Sequence, residues 1–295
     1  MKISETDIKI KGRLIKIAYP ELEKYELLDN PQSVIEGLRS SRPRIDLFTF
    51  LQIKSDRAPK YSYTMELENM AVLQVSSFED WWTKQIRSEV RNRARQAEKK
   101  GVTVKEVAFD EVLLQGIWET YNESPIRQGK PNVHYGKDLE TVQKEESTFL
   151  GRSIFIGAFL DEKLIGFVKL VTDKDRTHAN LMNIVAMVKH RDKAPTNALI
   201  AQSVRSCAER GIRYLAYQAF TYGNRGIDSL TNFKEVNGFQ RVDLPRYYVP
   251  LTSLGSLVLR LGLHHSLVDH IPLPIVNKLR ELRTAWYKRK LASAT

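Results

Sequence analysis

Apolar and polar positions alternate along the chain with periods that switch between helical and extended. Ser77-Phe-Glu-Asp80 has the form of a capping box, with the Ser77 hydroxyl placed to satisfy an amide at the start of a helix. Phe78, Trp82, Ile86, Val90 and Ala94 follow every four residues, so one apolar stripe runs along a helix predicted to reach Lys100 and stop at Gly101. Arg87, Arg91 and Arg95 form a second row beside that stripe. Val102–Val107 alternates as a strand does, and Val112, Leu113, Ile117 and Tyr121 predict a helix from Asp110 to about Asn122. A polar loop, residues 123–136, precedes another expected helix over 137–149.

The second half reads more clearly. Ser153–Leu160 and Leu164–Val171 are apolar strands joined by Asp161-Glu-Lys163, a hairpin. Leu181–Val188 is a third strand, Thr196–Arg210 a helix ended by Gly211, Tyr214–Phe220 a fourth strand and Pro245–Leu251 a late one. Earlier strands are expected at Asp46–Ile53 and Met70–Val75. Leu254–Leu263 and Pro274–Leu291 have amphipathic helical spacing. This order implies an α/β fold with a mixed central sheet and flanking helices. The domain reading places boundaries at 1–107, 108–251 and 252–295, the last a basic amphipathic helical tail.

A chain of 295 residues with 42% hydrophobic and 27% charged positions has enough apolar surface for a real core, which excludes wholesale disorder. No apolar run approaches the roughly 20 residues of a spanning helix, and residues 1–7 lack the apolar core of a secretory signal. With Cys207 as the single thiol, no disulfide framework exists, and the expected compartment is the reducing cytoplasm. The net charge is +11, and residues 82–105 and 251–295 carry +6 and +5 of it. Two basic segments in an otherwise neutral chain point to anionic partners: phosphates, nucleic acid or acidic lipid. The basic-aromatic mixture of residues 276–290 suits a helix on an anionic membrane, the inner membrane face in this reading, and suits docking on the protein itself equally.

Candidate chemistry gathers in two places. The 121–136 segment holds Tyr121, Glu123, Arg127, His134 and Tyr135 without strong apolar periodicity. Arg127 has the fork geometry for an anionic acceptor, and His134 has an intrinsic pKa suited to a general base. His178, His190, His264, His265 and His270 do not form a metal-ligand spacing, and adjacent His264 and His265 on a helix point in different directions, so no metal is expected.

The order hairpin, strand Leu181–Val188, loop His190-Arg-Asp-Lys-Ala-Pro-Thr-Asn197, helix, and Gly211-Ile-Arg-Tyr-Leu-Ala-Tyr217 resembles the GNAT (acyl-CoA N-acyltransferase) superfamily. Ser229-Leu-x-x-Phe-Lys-x-x-x-Gly-Phe239 and Arg91-Asn-Arg-Ala-Arg-Gln-Ala-Glu-Lys-Lys-Gly-Val102 resemble the corresponding stretches of its FemABX-like and CelD-like branches. The resemblance covers about residues 75–250. It implies a degenerate N-terminal GNAT-like unit, a better-formed C-terminal one, and transfer of an acyl or aminoacyl group to an amine or hydroxyl of a cell-envelope or polysaccharide-linked acceptor. It also implies that two central strands part near Ala186 and Ala216 to admit the acyl group. Lys193, Thr196 and Asn197 match the donor-binding loop, which lacks the family's two glycines and carries Pro195, a residue without an amide donor. The implied donor is therefore an acyl-CoA (acetyl-CoA) held in a modified way or a charged tRNA. Lys234 matches the family's Phe-Lys pair and is the candidate for electrostatic stabilisation. Tyr222 is the candidate proton donor, with Asp228 in the same loop. Two other readings stay open: an RNA-binding protein without catalysis, on the strength of the arginine row, and a membrane-surface protein.

Overall fold

The computed structural model describes residues 1–53, 58–127, 130–221 and 229–265, with 278 and 282 beyond them. In chain order the strands are β1 (Lys2–Ile3), β2 (Thr6–Lys11), β3 (Ile17–Pro20), β4 (Leu47–Leu51), β5 (Thr64–Gln74), β6 (Thr103–Val107), β7 (Ile126–Arg127), β8 (Lys130–Pro131), β9 (Ser153–Leu160), β10 (Lys163–Thr172), β11 (His178–Ala186), β12 (Tyr214–Ala216) and β13 (Gln240–Pro250). The helices are α1 (Pro31–Arg39), α2 (Phe78–Asp80), α3 (Ser88–Lys99), α4 (Glu111–Asn122), α5 (Leu139–Glu146), α6 (Pro195–Glu209), α7 (Ser229–Val236) and α8 (Ser253–Arg260). Two compact units emerge: Met1–Met70 with Ala219–Gly226 and Arg241–Leu273, and Ala71–Gln218 with Ile227–Gln240 and Pro274–Thr295. Neither unit is one continuous stretch, unlike the sequence boundaries at 107 and 251. Residues 71–107 group with the second unit because α3 packs on α6 and β6 pairs with β9.

In the first unit, β1, β2 and β3 pair antiparallel in succession, β3 runs parallel to β4, and β4 pairs antiparallel with β13. The helix α1 is capped by the Asn30 side chain and sets Val34, Ile35 and Leu38 against Phe48, Phe50, Tyr247 and Val249. Tyr247 is fully buried, and its hydroxyl is satisfied by donating to Gln52 Oε1 at 2.8 Å and accepting the Lys60 amide at 2.8 Å. After α8 the chain does not continue as a helix. Gly262 takes φ +67°, the Leu263 amide returns to Val258 O at 3.0 Å, and the chain reverses. His264 and His265 therefore lie in a turn, and both turn their rings to Glu66 on β5. The expectation that these neighbours point apart assumes a helix, and the helix ends at Arg260.

In the second unit, β12 lies between β5, to which it is antiparallel, and β11, to which it is parallel. β11, β10, β9 and β6 follow as an antiparallel run. The β9–β10 hairpin turns on Asp161 and Glu162, both at positive φ. One face of this sheet is covered by α4 and α5 through Leu113, Ile117, Tyr121, Val142, Phe155 and Phe167. On α6, Leu199, Ile200, Val204 and Cys207 are buried as expected, and burial pushes the Cys207 thiol up to about 12, so it is unreactive.

The long helix expected over 78–100 is in fact broken. Ser77 caps it through the Asp80 amide at 3.0 Å, a π turn spans Trp81–Gln85, and Ile86 is extended before α3 begins. The interruption has two anchors. Buried Trp81 donates its indole N–H to Asn237 O at 3.0 Å, and Arg91 donates to Trp82 O and Ile86 O at 2.9 and 2.8 Å, satisfying carbonyls that the break leaves without helical partners. Arg95 lies 5.6 Å from the Trp82 ring. Two members of the arginine row thus serve the fold. Replacing Arg91 by Ala should cost about 1–3 kcal/mol, the penalty for stranding buried carbonyls, read by urea denaturation; stability equal to wild type would return Arg91 to the solvated face.

Candidate functional site

The site in the second unit begins with a defect in strand pairing. β11 and β12 pair over only three residues, His178 with Tyr214, Ala179 with Leu215 and Asn180 with Ala216. Beyond them β12 stays with β5: the Tyr217 amide donates to Ala71 O at 2.8 Å and the Ala71 amide to Gln218 O at 2.9 Å. β11 instead stays with β10 up to Ala186 opposite Gly166. The parting has a local cause. Lys169 pairs with Asn183 and Leu170 with Leu181, so Met182 is an extra residue in β11 and forms a bulge two residues past the last β12 pair. A bulge bends its strand and increases its twist. Met182–Ala186 are half-exposed, whereas Ala179–Leu181 are buried.

Behind the bulged part of β11 lies a buried polar network. Asn183 Nδ2 and Tyr121 Oη each donate to Glu146 Oε1 at 2.7 Å. Lys169 is fully buried, and its ammonium donates to Glu146 O at 2.7 Å and Thr148 Oγ1 at 3.0 Å. Burial pulls the Lys169 pKa down to about 8, against the opposing pull of Glu146. Burial likewise pushes Glu146 up, with Tyr121 and Lys169 opposing. Tyr121 is held far above its ordinary value by burial and by Glu146. Glu146 Oε2 has no partner among the described residues.

The 121–136 loop wraps the C-terminal end of β11. Asn132 organises it, donating to Tyr121 O and Ser124 O at 2.8 and 2.9 Å and accepting the His134 amide at 3.1 Å. Arg127 donates through one guanidinium nitrogen to Ala186 O, the last residue of β11, while its buried NH1 has no partner among the described residues. Glu123 accepts the amides of Val188 and Lys189 at 3.0 Å each, so a carboxylate occupies the first two donors of the loop after β11. The His134 ring stacks on Tyr121 with centroids 4.0 Å apart. Its pKa is lowered by burial first and then by Lys137 and Arg127, and Nδ1 is buried without a partner among the described residues. A neutral imidazole with an unused nitrogen is chemically a base.

Each expected site residue has a definite place. Tyr121 is wholly internal and reaches Glu146, not open space, whereas Tyr135 is exposed. Glu123 and Arg127 hold the chain at Ala186–Lys189, and His134 lies against Tyr121. Lys193 sits beside Asp192, 3.6 Å away, and Gln96 from α3 and Lys100 just past its end also bind Asp192, fixing the loop before α6. Ala194 at φ +53° precedes Pro195, and Thr196 and the buried Asn197 form the first turn of α6. Lys234 is fully buried on α7, with its ammonium 5.0 Å from the ring of Tyr217, the residue after β12. It is not the surface lysine that its place after a turn allowed. Tyr222 and Asp228 lie outside the described residues, as does most of the expected tail. Sequence reasoning missed Glu146, Asn183 and Lys169. One signal was present: Lys169 is the lone charge in Leu164–Val171.

No protein-family model matches the chain, and no curated protein matches it by sequence. Solved structures do. L-PGS from Bacillus licheniformis superposes with a TM-score of 0.61 at 16% identity, covering 88% of this chain and 86% of that one. The C-terminal domain (DUF2156) of a putative lysylphosphatidylglycerol synthetase from Agrobacterium fabrum gives 0.58 at 15%, with 88% and 86% covered. FemX gives 0.56 at 11%, with 81% and 83% covered. The fold is GNAT-like, of the FemABX-like kind. Mixed strand pairing with helices packed on it, expected from the order of elements, is the observed architecture. No helix among the described residues is long and apolar enough to cross a membrane.

The Lys169 environment carries a pH signature. With its folded pKa near 8 and an ordinary value of 10.5, Lys169 binds more protons in the unfolded chain between those limits, so its own contribution to stability rises as pH increases from about 8 to 10.5. In urea unfolding, the stability of wild type relative to Lys169→Met should increase over that range by about 3 kcal/mol, the groups common to both cancelling in the difference; parallel curves would place the ammonium in water.

Proposed function

We propose that the chain transfers an aminoacyl or acyl group to a hydroxyl or amine on a cell-envelope acceptor, with the acyl carbonyl entering the gap where β11 leaves β12. The parting of these strands after Asn180 and Ala216 is the observation that carries the proposal. The solved structures that share the fold include L-PGS, a putative lysylphosphatidylglycerol synthetase and FemX, which supports an envelope acceptor and an aminoacyl donor.

Of the two donors, the charged tRNA fits the loop better. A CoA pyrophosphate needs free amides at a helix N-terminus. Here Pro195 has no amide to give, and Glu123 holds the Val188 and Lys189 amides with a negative charge. An aminoacyl ester requires only room for its carbonyl.

In the reaction the acceptor oxygen or nitrogen attacks the ester carbonyl. A new C–O or C–N bond forms, the bond to the ribose oxygen breaks, the acceptor proton passes to the His134 imidazole, and the departing ribose oxygen takes that proton up. Lys234, beside the end of β12, offers positive charge to the oxyanion. Arg127, anchored on Ala186 O with a second nitrogen unused, orients an anionic acceptor such as a lipid phosphate.

The test supplies purified full chain with either labelled aminoacyl-tRNA or labelled acetyl-CoA and with phosphatidylglycerol vesicles. Transfer from aminoacyl-tRNA to lipid is expected, and label left on both donors would end the proposal. Lys234→Met, which keeps the buried volume, should lower turnover at least about tenfold, the scale of one lost transition-state interaction. Because the His134 pKa lies below 6.5, the acid limb of kcat/KM should fall below that value, and His134→Gln should remove the limb along with most of the rate.

A further inference from the structure

We propose a binding site for a divalent metal ion of the zinc class in the first unit, formed by Glu66, His264 and His265, apart from the transfer chemistry. Glu66 lies on β5, and the two histidines come after the Gly262 reversal that ends α8. His264 Nε2 is 3.0 Å and His265 Nε2 3.1 Å from the same oxygen, Glu66 Oε1. One ligand atom from each of the three residues lies within 4.8 Å of the others. Two imidazoles and a carboxylate around a tetrahedral ion with bonds of about 2.0–2.1 Å stand about 3.3 Å apart, so both nitrogen-to-oxygen separations need to open by only a few tenths of an ångström.

The surroundings suit such an ion. The His264 side chain is 3% exposed, and the edge of the Tyr248 ring, with centroids 4.6 Å apart, fixes its plane. His265 and Glu66 are 37% and 36% exposed, which leaves an entry path and a position for water as the fourth ligand. The two imidazole rings lie 3.9 Å apart at 40°, so both lone pairs are aimed at one region. Without a cation, both histidines must present Nε2–H to the one oxygen. With a cation, both nitrogens and the carboxylate share its charge, and the imidazole-carboxylate set matches zinc, nickel and copper better than calcium or magnesium. Bound there, the ion clamps the Leu261–His265 turn to β5.

Untagged full-length chain, stripped with EDTA, is titrated with Co2+ by visible spectroscopy and with Zn2+ by calorimetry. One equivalent is expected, with a Co2+ absorption of tetrahedral strength and a rise in Tm of about 5 °C at saturating Zn2+. His265→Gln, a change at an exposed side chain, should weaken binding at least about tenfold while the metal-free Tm stays unchanged, and Glu66→Gln should do the same to binding. His190→Gln is the control and should leave binding intact. No stoichiometric binding, or binding that survives both His265→Gln and Glu66→Gln, overturns the site. If those variants lower Tm equally with and without Zn2+, the three residues form a polar clasp without metal, which also overturns it.

Discussion

The second unit is organised by a single extra residue. Met182 has no counterpart on β10, so β11 bends away just where β12 turns to accompany β5. Because the bulge falls after Asn180, the first three pairs still tie β11 to β12, and the part of β11 unpaired with β12 is confined to its C-terminal half. The C-terminal end of β11 and the loop after it are held in turn: Arg127 on Ala186 O, Glu123 on the Val188 and Lys189 amides, and Gln96 and Lys100 on Asp192.

The bulge also explains why a lysine and a glutamate sit in the core. Lys169 and Asn183 are the pair at the register shift, and their side chains meet Glu146 of α5, which Tyr121 of α4 also reaches. Taking these groups out of water is costly, and the cost shows in the opposite displacements of the Lys169 and Glu146 pKa values. In return, several hydrogen bonds specify one position for β11 relative to the helices. His134 rests on Tyr121 and inherits that rigidity.

Much of this was legible in the chain. The hairpin, α4, α6 and β6 fall where apolar period and capping residues put them, because those signals are local. The stretch 78–100 reads as one helix because its four-residue stripe is continuous in sequence, whereas the break at Ile86 depends on Trp81 and Arg91 finding partners. The chemistry of the 121–136 loop was visible as a cluster of polar types, and the loop does gather at the end of β11. Its division of labour was not visible: Tyr121 faces inward to Glu146 and Tyr135 outward, a distinction that burial alone makes.

The sequence by itself determined the order of elements from β9 to β12 and the mixed α/β class, since each rests on neighbours a few residues apart. Only the tertiary structure decided where β11 and β12 separate, that Lys169, Lys234 and Glu146 are internal, and that His264 and His265 converge on Glu66. Those outcomes depend on pairing registers and chain reversals that join residues tens to hundreds of positions apart, and no local period records them.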